Sequence, residues 1–386
     1  MTTIQKPDFR LDIQGLRALA VVSVIIYHVD AGLVPRGYLG VDIFFVVSGY
    51  VITATLAKRH AAAFGDFLLS FAARRVSRLL PALVLCVAIT ALAGFAFLPP
   101  DSGYFEQSWK TGIAALVGLS NVQMYRASID YFGTSADFNL FTQTWSLGVE
   151  EQFYLMFPVL LWVTGFAKKD PKGSRRLFIT IAVLSCISFL LFSYMSTRNP
   201  SGAFYLVPAR FWELGAGSMA FLARSRIVGT LGATLRASRT TALLLLVATL
   251  LVRTPYDVEI TAMAVILTVM LLLAAHRDAW ADKVLTSKLP VYFGTISYSL
   301  YLWHWSVFCI SRWTVGVYWW TVPFQLLLIV VLSTLSYSHV EQPFRRRLAT
   351  WEVPKTLALG LAMSMLGTLL IAILAIPLKG RSTRET

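Results

Sequence analysis

Charge is scarce in this chain, and so is cysteine. Only 14% of its 386 residues are charged, and 20 acidic side chains face 34 basic ones. Soluble domains carry about 25% charged residues, so an ordinary water-soluble globule is excluded. The three cysteines, Cys86, Cys186 and Cys309, are odd in number, and each lies inside an apolar run. That excludes a disulfide framework and predicts buried packing residues. There is no fixed-period repeat and no low-complexity tract, and the His and acidic residues lack metal-ligand spacing, so no metal is expected.

What remains is apolar. Hydrophobic residues make up 56% of the chain, and the mean hydropathy is +0.65. Eleven apolar segments stand out, at about 15–31, 37–57, 79–98, 145–166, 177–195, 203–223, 241–252, 260–275, 291–311, 320–340 and 356–378. Most approach the ~20 residues a bilayer requires, and the pair at 241–252 and 260–275 is short. The pattern predicts an all-α, polytopic helix bundle in the lipid bilayer.

Basic residues are unevenly distributed. With the N-terminus inside, 24 lie on the inner side, including Lys58, Arg74, Lys168, Arg239 and Arg345, and nine lie outside. Such a bias predicts an N-in, C-out topology through the positive-inside rule, and it attributes the net charge of +14 to orientation. Nucleic-acid binding, the other common cause of a basic chain, is not expected. The first segment resembles a signal peptide but has no small-residue cleavage site after Val29, so it is read as retained.

Two stretches between segments are long. The inner one, 58–78, is basic and is expected as a loop. The outer one, 99–144, is aromatic-rich, carries Asp101, Glu106, Asp130 and Asp137, and is expected to hold a re-entrant or interfacial helix over 111–124. The chain divides by this reading into residues 1–341 and a linker with an eleventh helix, 342–386.

Ionisable groups inside the apolar segments are the functional candidates, since each costs ~2.5–3.5 kcal/mol to insert on translocon scales. Arg17 and His28 stand eleven residues apart, about three turns and roughly 16 Å, and so share one helix face. Near the outer ends lie His28, Asp42, Glu150, Glu151, Arg210, Glu213 and His304. Near the inner end lie Arg17, Arg74, Arg75 and Arg78. Guanidinium groups suit phosphate or pyrophosphate, and a carboxylate-flanked imidazole suits proton transfer. Each also has a structural reading: Arg75 and Arg78 as topology anchors, Asp42 as a local cap, Arg210 with Glu213 as an ion pair, and His304 as a core histidine. The Phe44-Phe45 and Trp319-Trp320 pairs read as packing or interface aromatics.

Five ordered motifs carry a resemblance. Asp12-Ile13-Gln14-Gly15-Leu16-Arg17-Ala18-Leu19-Ala20 precedes His28, and Gly40-Val41-Asp42-Ile43-Phe44-Phe45-Val46-Val47-Ser48-Gly49-Tyr50 follows. Next come Arg75-Val76-Ser77-Arg78 before Leu79-Leu80-Pro81, then Trp145-Ser146-Leu147-Gly148-Val149-Glu150-Glu151-Gln152-Phe153-Tyr154, and last Ser297-Tyr298-Ser299-Leu300-Tyr301-Leu302-Trp303-His304. On these the chain resembles the membrane acyltransferase-3 family of bacterial integral membrane O-acyltransferases. The resemblance implies ten core helices and transfer of an acyl group, by default acetyl, from cytoplasmic acyl-CoA (acetyl-CoA) to a hydroxyl of an extracytoplasmic glycan. It implies residence in the bacterial inner membrane. In one branch of the family an eleventh helix leads to an extracytoplasmic SGNH-type domain. This sequence reaches the eleventh helix and stops at Thr386, so the acceptor step is expected to involve a separate partner or a longer parent chain.

The expected roles follow. Arg17, Arg75 and Arg78 hold the acyl-CoA phosphates. His28 acts as general base, or as transient acyl carrier, with Glu150 or Asp42 orienting its ring. Glu151, Arg210 and His304 line the acceptor side. The rival reading is a proton-coupled transporter or lipid-linked glycan flippase, which would use the same buried polar groups. Against it stands the absence of an internal repeat or a matched pair of broken helices.

Overall fold

The computed structural model describes residues 10–59, 63–98, 103–130, 135–274 and 280–382. Of the charged residues named or counted from the sequence, Lys6, Asp101, Arg277 and Arg384 lie outside the described residues. Among the described residues the chain is helical and contains no strand. Six of its helices are long and apolar enough to cross a membrane, so the protein is an all-α, polytopic membrane protein. The chain folds as two compact units: residues up to Thr55 with Glu213–Tyr298, and Leu56–Trp212 with residues from Ser299 onwards.

The first unit holds α1 (Leu11–Val29), most of α2 (Gly40–Ala57), the later turns of α9 (Val207–Ala237), α10 (Arg239–Leu251), α11 (Asp257–Leu273), α12 (Trp280–Leu285) and α13 (Lys288–Thr295). Helix α1 packs along α12 and α13 at backbone distance. A Cβ on Gly15 would collide with the Leu285 backbone, and one on Gly294 with the Gln14 carbonyl. Only glycine permits this approach, a common device where helices meet in lipid.

A buried ionic quartet sits at the start of α1. Arg10 pairs with Asp12 at 2.6 Å, and Arg239 pairs with Asp12 at 3.1 Å and with Asp282 at 2.8 Å. Arg10 also donates to the Tyr50 hydroxyl at 2.8 Å and the Leu272 carbonyl at 3.0 Å, and Arg239 donates to the Leu271 carbonyl at 2.9 Å. Two charges of each sign make the cluster neutral, which is the condition under which buried charge is tolerated. At the other end of α1, Arg36 fastens the turn after α1 to the turn after α10. It donates to the Val252 carbonyl at 3.1 Å and the Thr254 carbonyl, and it pairs with Asp257 at 2.6 Å.

The second unit holds α3 (Phe64–Phe97), α4 (Gly103–Leu116), α5 (Ser120–Ser128), α6 (Thr144–Val163), α7 (Gly173–Arg198), α8 (Pro200–Tyr205) and the first turns of α9. It continues with α14 (Ser297–Trp313), α15 (Val322–Ser336), a wide π turn (Tyr337–Glu341), α16 (Gln342–Leu348) and α17 (Val353–Ser382). Polar side chains join its helices, as is usual where lipid supplies no hydrophobic drive between them. Thr90 donates to Ser306 at 2.8 Å, joining α3 to α14. Gln143 donates to the Leu302 carbonyl at 3.1 Å, and Ser146 to the Tyr301 hydroxyl at 2.7 Å, joining α6 to α14. Helix α17 lies along α3 and α4, and Ser364 donates to the Leu116 carbonyl at 3.2 Å.

Several expectations change. The inner stretch 58–78 is not a loop throughout, because α3 begins at Phe64 and carries Arg74, Arg75 and Arg78 within it. Its early turns are amphipathic: Phe67 and Phe71 are buried one turn apart, and the Phe64 ring lies 5.5 Å from that of Trp162. In place of one helix over 111–124, two short helices meet at Gly118, whose φ of +73° breaks the run. The segment expected at 291–311 is divided between α13 and α14 at Ile296. Cys86 and Cys309 are buried as expected, but Cys186 is exposed on the outer face of α7. Trp319, 87% exposed, and Trp320, 53% exposed, suit an interface belt. Between α6 and α7, the Lys172 N–H donates to Asp170 at 2.8 Å. That bond, with Arg176 beside it, holds the Asp170 carboxyl below the usual carboxylate range.

Candidate functional site

In the first unit the candidate residues stand on and beside α1, an unbroken helix over Leu11–Val29. Eleven residues advance an α-helix by about 16.5 Å and return it to within ~20° of the same azimuth. Arg17 and His28 therefore share one face, and both are half-buried. The Arg17 guanidinium lies 3.4 Å from the Gln14 side-chain oxygen, one turn earlier. The His28 ring meets the Tyr27 ring edge-on, and Tyr27 in turn meets Tyr38. Asp42 is buried in the first turn of α2, where the helix dipole favours a carboxylate.

In the second unit α3 and α6 bring three groups together. The Arg75 guanidinium lies over the Tyr154 ring at 4.3 Å from its centroid and near the Phe71 ring at 5.3 Å. The Tyr154 hydroxyl donates to Glu150 Oε2 at 2.9 Å, one turn back along α6. Arg78 is half-buried one turn beyond Arg75 on α3. Glu150 and Arg75, assigned separate tasks on sequence grounds, thus flank one tyrosine. A stripe of polar residues continues along α6 through Ser146 to Gln143, where the Tyr301 hydroxyl accepts from Ser146 and donates to the Gln143 carbonyl at 3.0 Å.

The three residues expected on the acceptor side sit in three different settings. Glu151 presses its carboxylate against Gly118, where a Cβ would meet it. The buried Arg210 guanidinium sits among aromatic rings, 5.8 Å from Trp145, 5.8 Å from Phe192 and 5.7 Å from Phe204. Cation–π contact of that kind stabilises a guanidinium away from water. His304 is fully buried, and its Nδ1 lies 2.7 Å from the Tyr301 carbonyl. A carbonyl accepts only, so Nδ1 carries the proton and Nε2 is the basic nitrogen.

Sequence reasoning misses Tyr154, although a tyrosine four residues beyond a half-buried glutamate is the spacing for such a bond. It also misses Glu341, a buried carboxylate in the wide turn that accepts from Ser299 at 3.2 Å. Among the described residues no three or more of His, Cys, Asp and Glu come together as a group that could hold a metal ion.

The arginine-bearing α3, the glutamate-bearing α6 and the Arg17/His28 helix all fall within residues 10–338, which match the model of an acyltransferase domain. The chain belongs to that family, acyltransferase-3. A Staphylococcus aureus (strain MSSA476) protein provisionally named an O-acetyltransferase is 29% identical over 394 residues, covering 97% of this chain and 64% of its own length. The peptidoglycan O-acetyltransferase OatA of Listeria monocytogenes is 27% identical over 362 residues, covering 89% of this chain and 57% of its own. The chain therefore spans about three fifths of the length of these curated relatives. No solved structure matches.

Proposed function

We propose that this protein is an acyl-CoA-dependent membrane O-acyltransferase that moves an acetyl group from the cytoplasmic face to a hydroxyl of a cell-surface glycan. The observation that carries the proposal is the unbroken α1, which bears Arg17 and His28 on one face at heights about 16.5 Å apart. That is a guanidinium for a donor's phosphates and an imidazole for its thioester, in line along one wall. Family membership and relatives named O-acetyltransferases support the reaction class.

In the first unit, Arg17 binds donor phosphate and His28 takes the acceptor hydroxyl's proton as the oxygen attacks the thioester carbon. The carbon–sulfur bond breaks, and the imidazolium returns the proton to the departing thiolate. Asp42 orients the imidazole. In the second unit, Arg75 and Arg78 bind phosphate, and Glu150, held by Tyr154, is the catalytic carboxylate. Seating Arg75 on two aromatic rings leaves its N–H edge available for a phosphate oxygen, which suits bidentate recognition. Glu151, Arg210 and His304 remain assigned to the acceptor side. The N-terminus is cytoplasmic and the membrane is the bacterial inner membrane. An SGNH-type partner or domain takes the acetyl group onward where one is present.

The test is radiolabelled acetyl-CoA supplied to the purified full chain in liposomes. Time-dependent release of free thiol, lost in H28A, is the expected result. An inert wild-type protein rejects the donor assignment. Mass spectrometry of envelope glycans with and without the gene then identifies the acceptor by a missing acetyl mass.

A further inference from the structure

We propose that Tyr154 is a positioning residue that couples the donor-side guanidinium to the Glu150 carboxylate. The inference rests on the acyltransferase reading above and adds a residue that neither the motif spacing nor the family assignment gives a role.

Tyr154 makes two different contacts with two different parts of its side chain. Its hydroxyl donates to Glu150 Oε2 at 2.9 Å, and its ring face lies 4.3 Å beneath the Arg75 guanidinium. The Phe71 ring lies 5.3 Å from the same guanidinium and meets the Tyr154 ring edge-on at 6.2 Å, so the two rings form a corner around it. Arg75 is therefore seated in the corner of two rings, and only one of those rings carries a hydroxyl.

The two contacts reinforce each other. A cation over the π face draws electron density from the ring and makes the hydroxyl a stronger donor. A carboxylate that accepts from a fixed donor loses rotamer freedom, and it is held ready for the reacting group without reorganisation. A phenylalanine keeps the ring under Arg75 and releases Glu150, whereas a leucine gives up both. The two halves of the role can therefore be separated.

The experiment uses the full chain in liposomes with acetyl-CoA, reading thiol release for wild type, Y154F and Y154L. Y154F is expected to lower kcat about tenfold, the effect of one lost hydrogen bond to a charged group, while KM for acetyl-CoA stays within about twofold. Y154L is expected to show the same loss in kcat and a KM raised by about tenfold. Wild-type turnover in Y154F overturns the proposal, as does a Y154F variant whose KM rises in step with that of Y154L. Alkali-labile acetate in the envelope of cells carrying each variant provides a second readout that does not depend on the donor. Loss of ester in Y154F at unchanged protein level supports the role, and full ester content overturns it. A wild-type protein that neither consumes acetyl-CoA nor adds ester defeats the acyltransferase reading itself, an outcome distinct from Y154F alone behaving as wild type.

Discussion

Arg239 donates from Nη2 to Asp12 Oδ2 at 3.1 Å, joining the start of α10 to the start of α1 across 227 residues of sequence. The same guanidinium pairs with Asp282, so its removal takes that ion pair away and leaves Asp12 with Arg10 alone, one cation for two buried carboxylates. R239M should destabilise the protein by about 3–5 kcal/mol, seen as a lower melting temperature in detergent. Neutralising the partner at the same time, in R239M/D12N, should recover part of that loss, since contacting residues are not additive. A melting temperature unchanged in R239M would show that water or a neighbouring group compensates.

Helix α1 should tolerate no extra atom on its packed face. G15A and G294A each place a methyl group against backbone, and each should cost roughly 1–3 kcal/mol through overpacking. Gly65 is the internal control, because nothing lies within 4 Å of its added Cβ. There alanine should be neutral or stabilising by up to about 1 kcal/mol. Thermal melting of the three variants side by side checks the contrast.

Hydropathy marks the apolar helices in the sequence because lipid forces every spanning backbone to satisfy its own hydrogen bonds. Helical periodicity alone likewise puts Arg17 and His28 on a shared face. What hydropathy misses is the amphipathic start of a long helix. The early turns of α3 bury only Phe67, Phe71 and Ala73, and so read as a basic loop. A charge count cannot tell an arginine in a solvated loop from one in a buried quartet, so by that count Arg239 is a marker of orientation. The seat of Arg75 on Tyr154 is a tertiary contact between helices that no local pattern encodes.

H28A should lower acetyl transfer by about 10²–10⁴-fold, the usual worth of a general base, with the melting temperature held near that of wild type. The side chain is only half-buried, so its removal leaves little void. The assay is thiol release from acetyl-CoA beside a thermal melt of the same preparation. Retained activity removes His28 from the reaction.

R75Q/R78Q should raise the KM for acetyl-CoA by at least about tenfold, or about 1.4 kcal/mol, through loss of two phosphate-binding guanidinium groups. Turnover at saturating donor should fall less. An unchanged donor affinity, measured by calorimetry on the full chain, would return both arginines to the role of orienting α3 in the bilayer.

The wide turn at Tyr337–Glu341 adds one residue to what an α-helical turn would hold. Each residue in a helix advances the azimuth by about 100°, so the insertion resets the phase of everything beyond it. Glu341 and Leu348 point inwards, while Arg345, Arg346 and Arg347 point outwards. Inserting one further residue there would carry Arg347 into the berth of Leu348. Length, rather than composition, therefore decides which side chains this end of the molecule shows to its surroundings, and one codon gained would matter more than several exchanged.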